Sequence, residues 1–298
     1  MSEWTTVTKK KSASSQKRNS NGRRRQRPVQ VKQQSDRAAS PPPSVTIPQL
    51  QSILEKSMDL EKSMDQLRMS EFWDSLKEAL ITDDKLFSIS EIVCYGIGNF
   101  GASSNHSAPM WQLACALAIR EDLCGKEVIP EILYFDPCMT EQESAFLKQR
   151  NVSVISENER GKRHVKRSID DDNKDNQHHT QTLFFMPHCP LKLYTNLFLT
   201  NWNQLDRIVV FGNSMTAYAD RLNVTPPIRF LQALQPHWQE LALPINPTDL
   251  NQMPAYFENA FNDSYITSFV KPTDNGKGWP DIPDIDLEAD DGYDAEVF

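Results

Sequence analysis

The chain has 298 residues, with 32 Lys+Arg against 40 Asp+Glu, 39% hydrophobic residues, and only 10 Gly beside 19 Pro. Charge is segregated: residues 1–40 hold 11 Lys/Arg and 2 acids, whereas 272–298 hold 9 acids and 1 Lys. Without a run of about 18 apolar residues, or an apolar stretch behind the opening MSEWTTVTKKK, neither a membrane span nor a secretory leader is expected, and collagen, coiled-coil and mucin compositions are excluded.

Residues 1–43 are rich in Lys, Arg, Ser and Gln and nearly free of aliphatic side chains, so they cannot bury enough apolar surface to offset their ordering entropy; a disordered basic tail is predicted. Its clusters Lys9–Lys11 and Arg23–Arg25 suit weak nucleic-acid contact or an import receptor, with a plain solvated tail as the alternative. Pro41–Pro43 make a stiff spacer. A helical N-terminal extension over 44–87 follows. In it Leu50, Ile53, Leu54, Met58, Leu60, Met64, Leu67, Phe72, Trp73, Leu76 and Leu80 recur mostly three and four residues apart, predicting one or two helices over 49–81. They are expected to pack on the domain behind them. The tandem EKSMD at 55–59 and 61–65 is too short a repeat for a solenoid.

From Ser88 short apolar runs alternate with helical stretches over 88–271, predicting a single α/β domain with a doubly wound, mostly parallel, Rossmann-like sheet and flanking helices. Strands are predicted at Glu91–Tyr95, Glu131–Phe135, Val152–Ile155, Leu183–Met186, Arg207–Phe211 and Glu240–Leu243. Helices are predicted at Ala108–Arg120, Glu141–Arg150, Leu191–Asn201, Pro227–Leu234 and Asn251–Phe261. The charged stretch Glu157–Gln181 reads as a long surface loop or insertion, and 272–298 as a disordered acidic tail. Five cysteines (Cys94, Cys115, Cys124, Cys138, Cys189) without a CxxC pair suit reduced thiols, hence a cytoplasmic and nuclear protein.

The polar residues cluster by position. Each of the first five strands runs into a glycine or polar motif: Gly96-Ile97-Gly98-Asn99-Phe100-Gly101, Asp136-Pro137-Cys138, Glu157 to Lys162, Pro187-His188-Cys189-Pro190, and Gly212-Asn213-Ser214. In a parallel sheet these ends share one edge, and open α/β sheets bind ligands outside that edge. A small-ligand crevice lined by Gly96, Gly98, Asp136, Asn158, Glu159, His188, Asn213 and Ser214 is therefore expected; ordinary βα turns are the competing reading. The G-x-G-x-x-G spacing, with Asp136 ending the next strand, suits a nucleoside or methyl-donor cofactor. It departs from a dinucleotide fingerprint, because a polar stretch precedes the helix and Asp136 lies 35 residues past Gly101. His188 is the candidate general base of an enzymatic reading, a nucleoside-cofactor transferase. Cys189-Pro190 is chemically suited to an axial haem thiolate or, more plainly, to packing as a small apolar residue; the spacing holds no recognisable zinc set, and the cofactor stays unassigned.

Taken in order, CYGIGNF, YFDP, SENERGK, FFMPHCP, NLFLTNW and VVFGNS resemble the SRR-like domain family, named for plants with sensitivity to red light reduced. The resemblance covers roughly 88–220 and places Gly96, Gly98, Asp136, Asn158, Glu159, Gly161, His188, Cys189, Pro190, Asn196, Asn201, Trp202, Gly212, Asn213 and Ser214 at the family's motif positions. It implies an intracellular regulatory protein, tied to circadian and light signalling in plants, microtubule phenotypes in fungi and haem-biosynthesis regulation in animals. It brings no established reaction. The Arg163–Gln181 insertion and the oppositely charged tails depart from the family pattern.

Overall fold

The computed structural model describes residues 47–82, 85–86, 88–101, 107–123, 129–166, 180–271 and 279. The expectations for Lys9–Lys11, Arg23–Arg25, residues 167–179 of the charged loop and all of the acidic tail except Trp279 fall outside them.

Two helices open the described chain, α1 (Ile47–Arg68) and α2 (Glu71–Ala79), followed by a two-residue ladder of β1 (Ile81–Thr82) and β2 (Lys85–Leu86). The main sheet begins with β3 (Ile89–Tyr95), β4 (Glu131–Phe135), β5 (Val152–Val154), β6 (Gln181–Met186) and β7 (Ile208–Gly212), all parallel. Two further strands, β8 (Trp238–Ala242) and β9 (Tyr265–Phe269), pair antiparallel to each other, and β9 runs antiparallel to β7. The seven strands stand in the order β5-β4-β3-β6-β7-β9-β8. The chain thus winds outward from β3 to one side, returns to the centre at β6 and winds to the other side. The reversal lies between β3 and β6.

The central strands read as unbroken apolar runs because both of their faces are covered. Ile92 and Cys94 of β3 point into one core and Val93 and Tyr95 into the other. The first core is closed by α1, α2, α3 (Ala108–Ala118), α4 (Glu141–Gln149) and α9 (Ala255–Phe261). The second is closed by α5 (Leu191–Thr200), α6 (Met215–Ala219) and α7 (Pro226–Leu234). Helix α3 is buried from Met110 to Ala118, sandwiched between the sheet and Leu60, Met64 and Leu67 of α1, which is why its sequence shows no polar face. The N-terminal helices therefore complete the first core, as their amphipathic spacing predicts.

Three differences from the predicted elements have local causes. The helix expected over Asn251–Phe261 is two, α8 (Pro247–Gln252) and α9, because Pro254 has no N–H to give and its ring crowds the preceding turn. Strand β9 escapes an apolar-run criterion because Thr267 and Ser268 interrupt Tyr-Ile-Thr-Ser-Phe. Helix α3 continues as a π turn over Ile119–Leu123, outrunning the predicted end at Arg120. From the acidic tail, Trp279 packs on the second core, its ring edge-on to His237 with centroids 6.0 Å apart.

Candidate functional site: a crevice at the strand reversal

The loops leaving β3, β4, β5 and β6 meet around a crevice of about 250 Å³. Gly96, Gly98, Asp136, Cys138, Asn158, Arg160, Gly161, His188 and Cys189 are among its lining residues. Of the sequence-predicted set, Gly96, Gly98, Asp136, Asn158 and His188 come together here; Glu159, Asn213 and Ser214 do not line it. Arg160, Gly161, Cys138 and Cys189 are lining residues that the candidate set omits, although all four stand inside the very motifs that defined it.

Asp136 is spent on shaping the rim. Its Oδ2 accepts the Gly98 N–H at 2.6 Å and its Oδ1 the Cys138 N–H at 2.8 Å, so one carboxylate fastens the glycine turn after β3 to the turn after β4. Gly98 sits at φ +89, a left-handed conformation that glycine adopts without a Cβ clash. A Cβ there would meet only Pro109 Cγ at 3.4 Å, an ordinary contact, whereas at Gly96 it would stand 2.8 Å from Cys189 Sγ. Gly96 is thus required by the close approach of the β6 loop.

The loop after β5 is a tight turn. Lys162 N–H donates to Glu159 O at 2.8 Å, and the two central residues, Arg160 and Gly161, both have left-handed φ, 51° and 74°. Asn158 Oδ1 accepts the Arg160 N–H at 2.9 Å, and Asn196 Nδ2 of α5 donates to Arg160 O at 2.8 Å. Behind the turn, residues 162–166 have no regular structure and are held at the end of α5 by Asn201, which donates to Arg163 O and accepts from Val165 N–H. Glu159 faces away from the crevice: it takes the Tyr95 hydroxyl and the Arg163 guanidinium. Arg163 and Lys166 reach the buried carboxylate of Glu91, Lys166 Nζ at 2.6 Å. Pairing with Glu91 raises the Lys166 pKa.

His188 and Cys189 part company. His188 has φ 56, its N–H donates to Asn213 Oδ1 at 2.8 Å, and its Nε2 donates to Ala260 O at 3.2 Å. A carbonyl only accepts, so Nδ1 is the nitrogen left for chemistry. The Cys189 thiol donates instead to Tyr95 O at 3.4 Å, and burial pushes its pKa far above the ordinary thiol range. A Cys–His nucleophile pair is thereby ruled out in this geometry, and a haem thiolate would require ionising that buried sulfur. Asn213 is the support beneath: its Nδ2 donates to Cys189 O and to the Tyr218 hydroxyl. Tyr194, over Gly212, donates to Met186 O at 2.5 Å and accepts the Asn213 N–H. Ser214 caps α6 through the Ala217 N–H and bonds Glu240 of β8, which explains its place outside the crevice.

Comparison with known proteins gives a consistent picture. The profile of a family described as the SRR1 domain matches residues 50–268. The chain is 29% identical over 187 residues to the Arabidopsis thaliana protein named Protein SENSITIVITY TO RED LIGHT REDUCED 1, covering 59% of this chain and 61% of that one. It is 34% identical over 134 residues to an SRR1-like protein of Mus musculus, covering 44% and 46% of the two chains. With an SRR1-like protein of Drosophila melanogaster it shares 25% identity over 140 residues, 46% of this chain and 42% of the other. The chain spans about half the length of the curated relatives it matches.

Proposed function

Because the chain belongs to the SRR1 domain family, we propose that it is an intracellular regulatory protein whose output depends on a small molecule held in the crevice between β3 and β6. One observation carries this reading: four separate strand-end loops meet at the point where strand order reverses, and their internal polar groups are tied to one another so that the concavity is pre-formed. Such a site is rigid before its ligand arrives. The name of the Arabidopsis relative speaks of a red-light response, and a signalling role of this general kind fits a domain that binds rather than turns over. The transferase alternative is weaker, since the carboxylate it would offer a ribose already holds two backbone N–H groups. At about 250 Å³ the crevice also falls below the roughly 300–1,000 Å³ of drug-sized ligand sites, so a single small molecule suits it better than a dinucleotide or a porphyrin. Residence in cytoplasm and nucleus belongs to the same proposal, with Arg23–Arg25 as the import cluster.

Cys138 makes the proposal testable, because it is exposed and lines the crevice while Cys94, Cys115 and Cys189 are buried. With Cys124→Ser introduced, the full chain is treated with N-ethylmaleimide in the presence of a protein-free, thiol-free metabolite extract, and the rate is referred to a free reference thiol. Occupancy predicts that the extract slows Cys138 alkylation severalfold relative to dialysed protein. Equal rates would remove the ligand from the account.

A further inference from the structure

Four non-glycine residues among those described have left-handed φ: Asn151, Arg160, His188 and Asp263. Asn, Asp and, to a degree, His tolerate that conformation; a long unbranched Arg gains nothing from it, and its Cβ is crowded against the carbonyl. Arg160 nevertheless occupies the first central position of its turn, a place that Asn, Asp or Gly fills without strain. Two side chains, Asn158 and Asn196, hold its backbone there from opposite sides. The result is that Arg160 lines the crevice. Strain of this kind is retained where the strained residue does something the relaxed one cannot.

The charge balance indicates what that is. Asp136, the carboxylate in the lining, accepts a backbone N–H on each oxygen. Arg160 has five N–H donors, a permanent charge, and no carboxylate partner among the described residues, the neighbouring Glu159 being taken by Arg163. Across the lining stands His188, whose Nε2 is engaged with Ala260 O and whose Nδ1 remains. With Nε2 carrying the ring proton, Nδ1 of the neutral imidazole accepts, so the uncommitted donors of the lining are those of Arg160, and a guanidinium fork matches the two oxygens of a carboxylate or phosphate.

We infer that the crevice ligand is a small oxyanion, a molecule bearing a phosphate or carboxylate group that Arg160 engages. This inference rests on the crevice reading above and adds to it the chemical class of the ligand. The strained turn and the free guanidinium then have one explanation.

The test fractionates the metabolite extract on an anion-exchange resin and assays each fraction by protection of Cys138 in the full chain carrying Cys124→Ser. The inference predicts that the flow-through loses protection and the salt eluate, after desalting, retains it. It also predicts that Arg160→Gln raises the amount of eluate needed at least tenfold. The Gln variant relieves no packing and removes only the charged fork, so its fold is checked by an unchanged thermal midpoint. Protection by ribose 5-phosphate but not by ribose would identify a phosphate, and by gluconate but not by glucitol a carboxylate. If the flow-through protects, or if Arg160→Gln is protected as well as wild type, the oxyanion inference fails while the crevice reading stands; if no fraction protects, both fail.

Discussion

At the scale of single residues, two glycines of the crevice separate structural need from open space. A Cβ at Gly161 would lie 2.6 Å from Leu193 O, a backbone atom of α5 that cannot step aside, and φ there is +74. Gly98 carries the same conformational demand at φ +89 but meets only Pro109 Cγ at 3.4 Å. Gly98→Ala should therefore cost about 1 kcal/mol, the left-handed penalty alone, whereas Gly161→Ala should cost about 2–4 kcal/mol, since a backbone clash is added. Urea midpoints of the two variants check the order, and equal losses would mean that the 158–162 turn does not sit on α5 as described. Glycine spacing in the sequence singled out Gly98, and Gly161 lay inside the polar motif that follows β5. Neither signal could show which partner each glycine makes room for, since Leu193 reaches Gly161 from a helix 32 positions on and Pro109 reaches Gly98 from α3.

At the scale of elements, the first core depends on a cap supplied from far away. Asp249 of α8 is buried and accepts the Glu71 and Phe72 N–H groups, both at 3.0 Å, at the N-terminus of α2, beside the local cap from Ser70 to Trp73 N–H. An anion at a helix N-terminus satisfies orphan donors and complements the helix dipole. Asp249→Ala should lower stability by about 1–3 kcal/mol, the cost of leaving buried donors without a partner, and should expose α2 to limited proteolysis before the sheet opens. A variant as stable as wild type would show that Ser70 caps α2 unaided. This cap also shows where sequence reading ends. Periodicity and capping residues placed α3, α4 and α5 to within two residues, and the outer bounds of the α1–α2 pair likewise though not the break between them, because those signals are local. The crevice edge was legible for the same reason: parallel strands must put their C-terminal motifs together. The pairing of Asp249 with residues 178 and 177 positions away, the turn of Glu159 toward Tyr95, and the bond from Ser214 to Glu240 depend on tertiary contacts that have no local signature.

At the scale of the whole molecule, the reduced thiols make stability sensitive to alkali. Burial pushes the Cys94, Cys115 and Cys189 pKa values well above the ordinary thiol range. In the unfolded chain these thiols ionise near pH 8.5. A group whose folded pKa is raised loses its contribution as pH climbs past the unfolded value, so stability should be level up to about pH 8 and then fall, by up to about 1.4 kcal/mol per pH unit for each thiol. Burial also raises the Tyr134 and Tyr194 pKa values, so the decline should steepen above about pH 10. Denaturant titrations between about pH 7 and about pH 11 measure the curve, and a flat profile would place these thiols in contact with water.

The central claim is that this chain acts through a ligand at the strand reversal, and backbone amide NMR of the full chain during titration with the protein-free metabolite extract tests it most directly. The account predicts shifts confined to the loops that carry Gly96–Gly98, Asp136–Cys138, Asn158–Gly161 and His188–Cys189, which line one crevice, with the β8–β9 edge unmoved. Shifts centred instead on the strands β8 and β9 at the far side of the sheet, or none at the four loops, would contradict it.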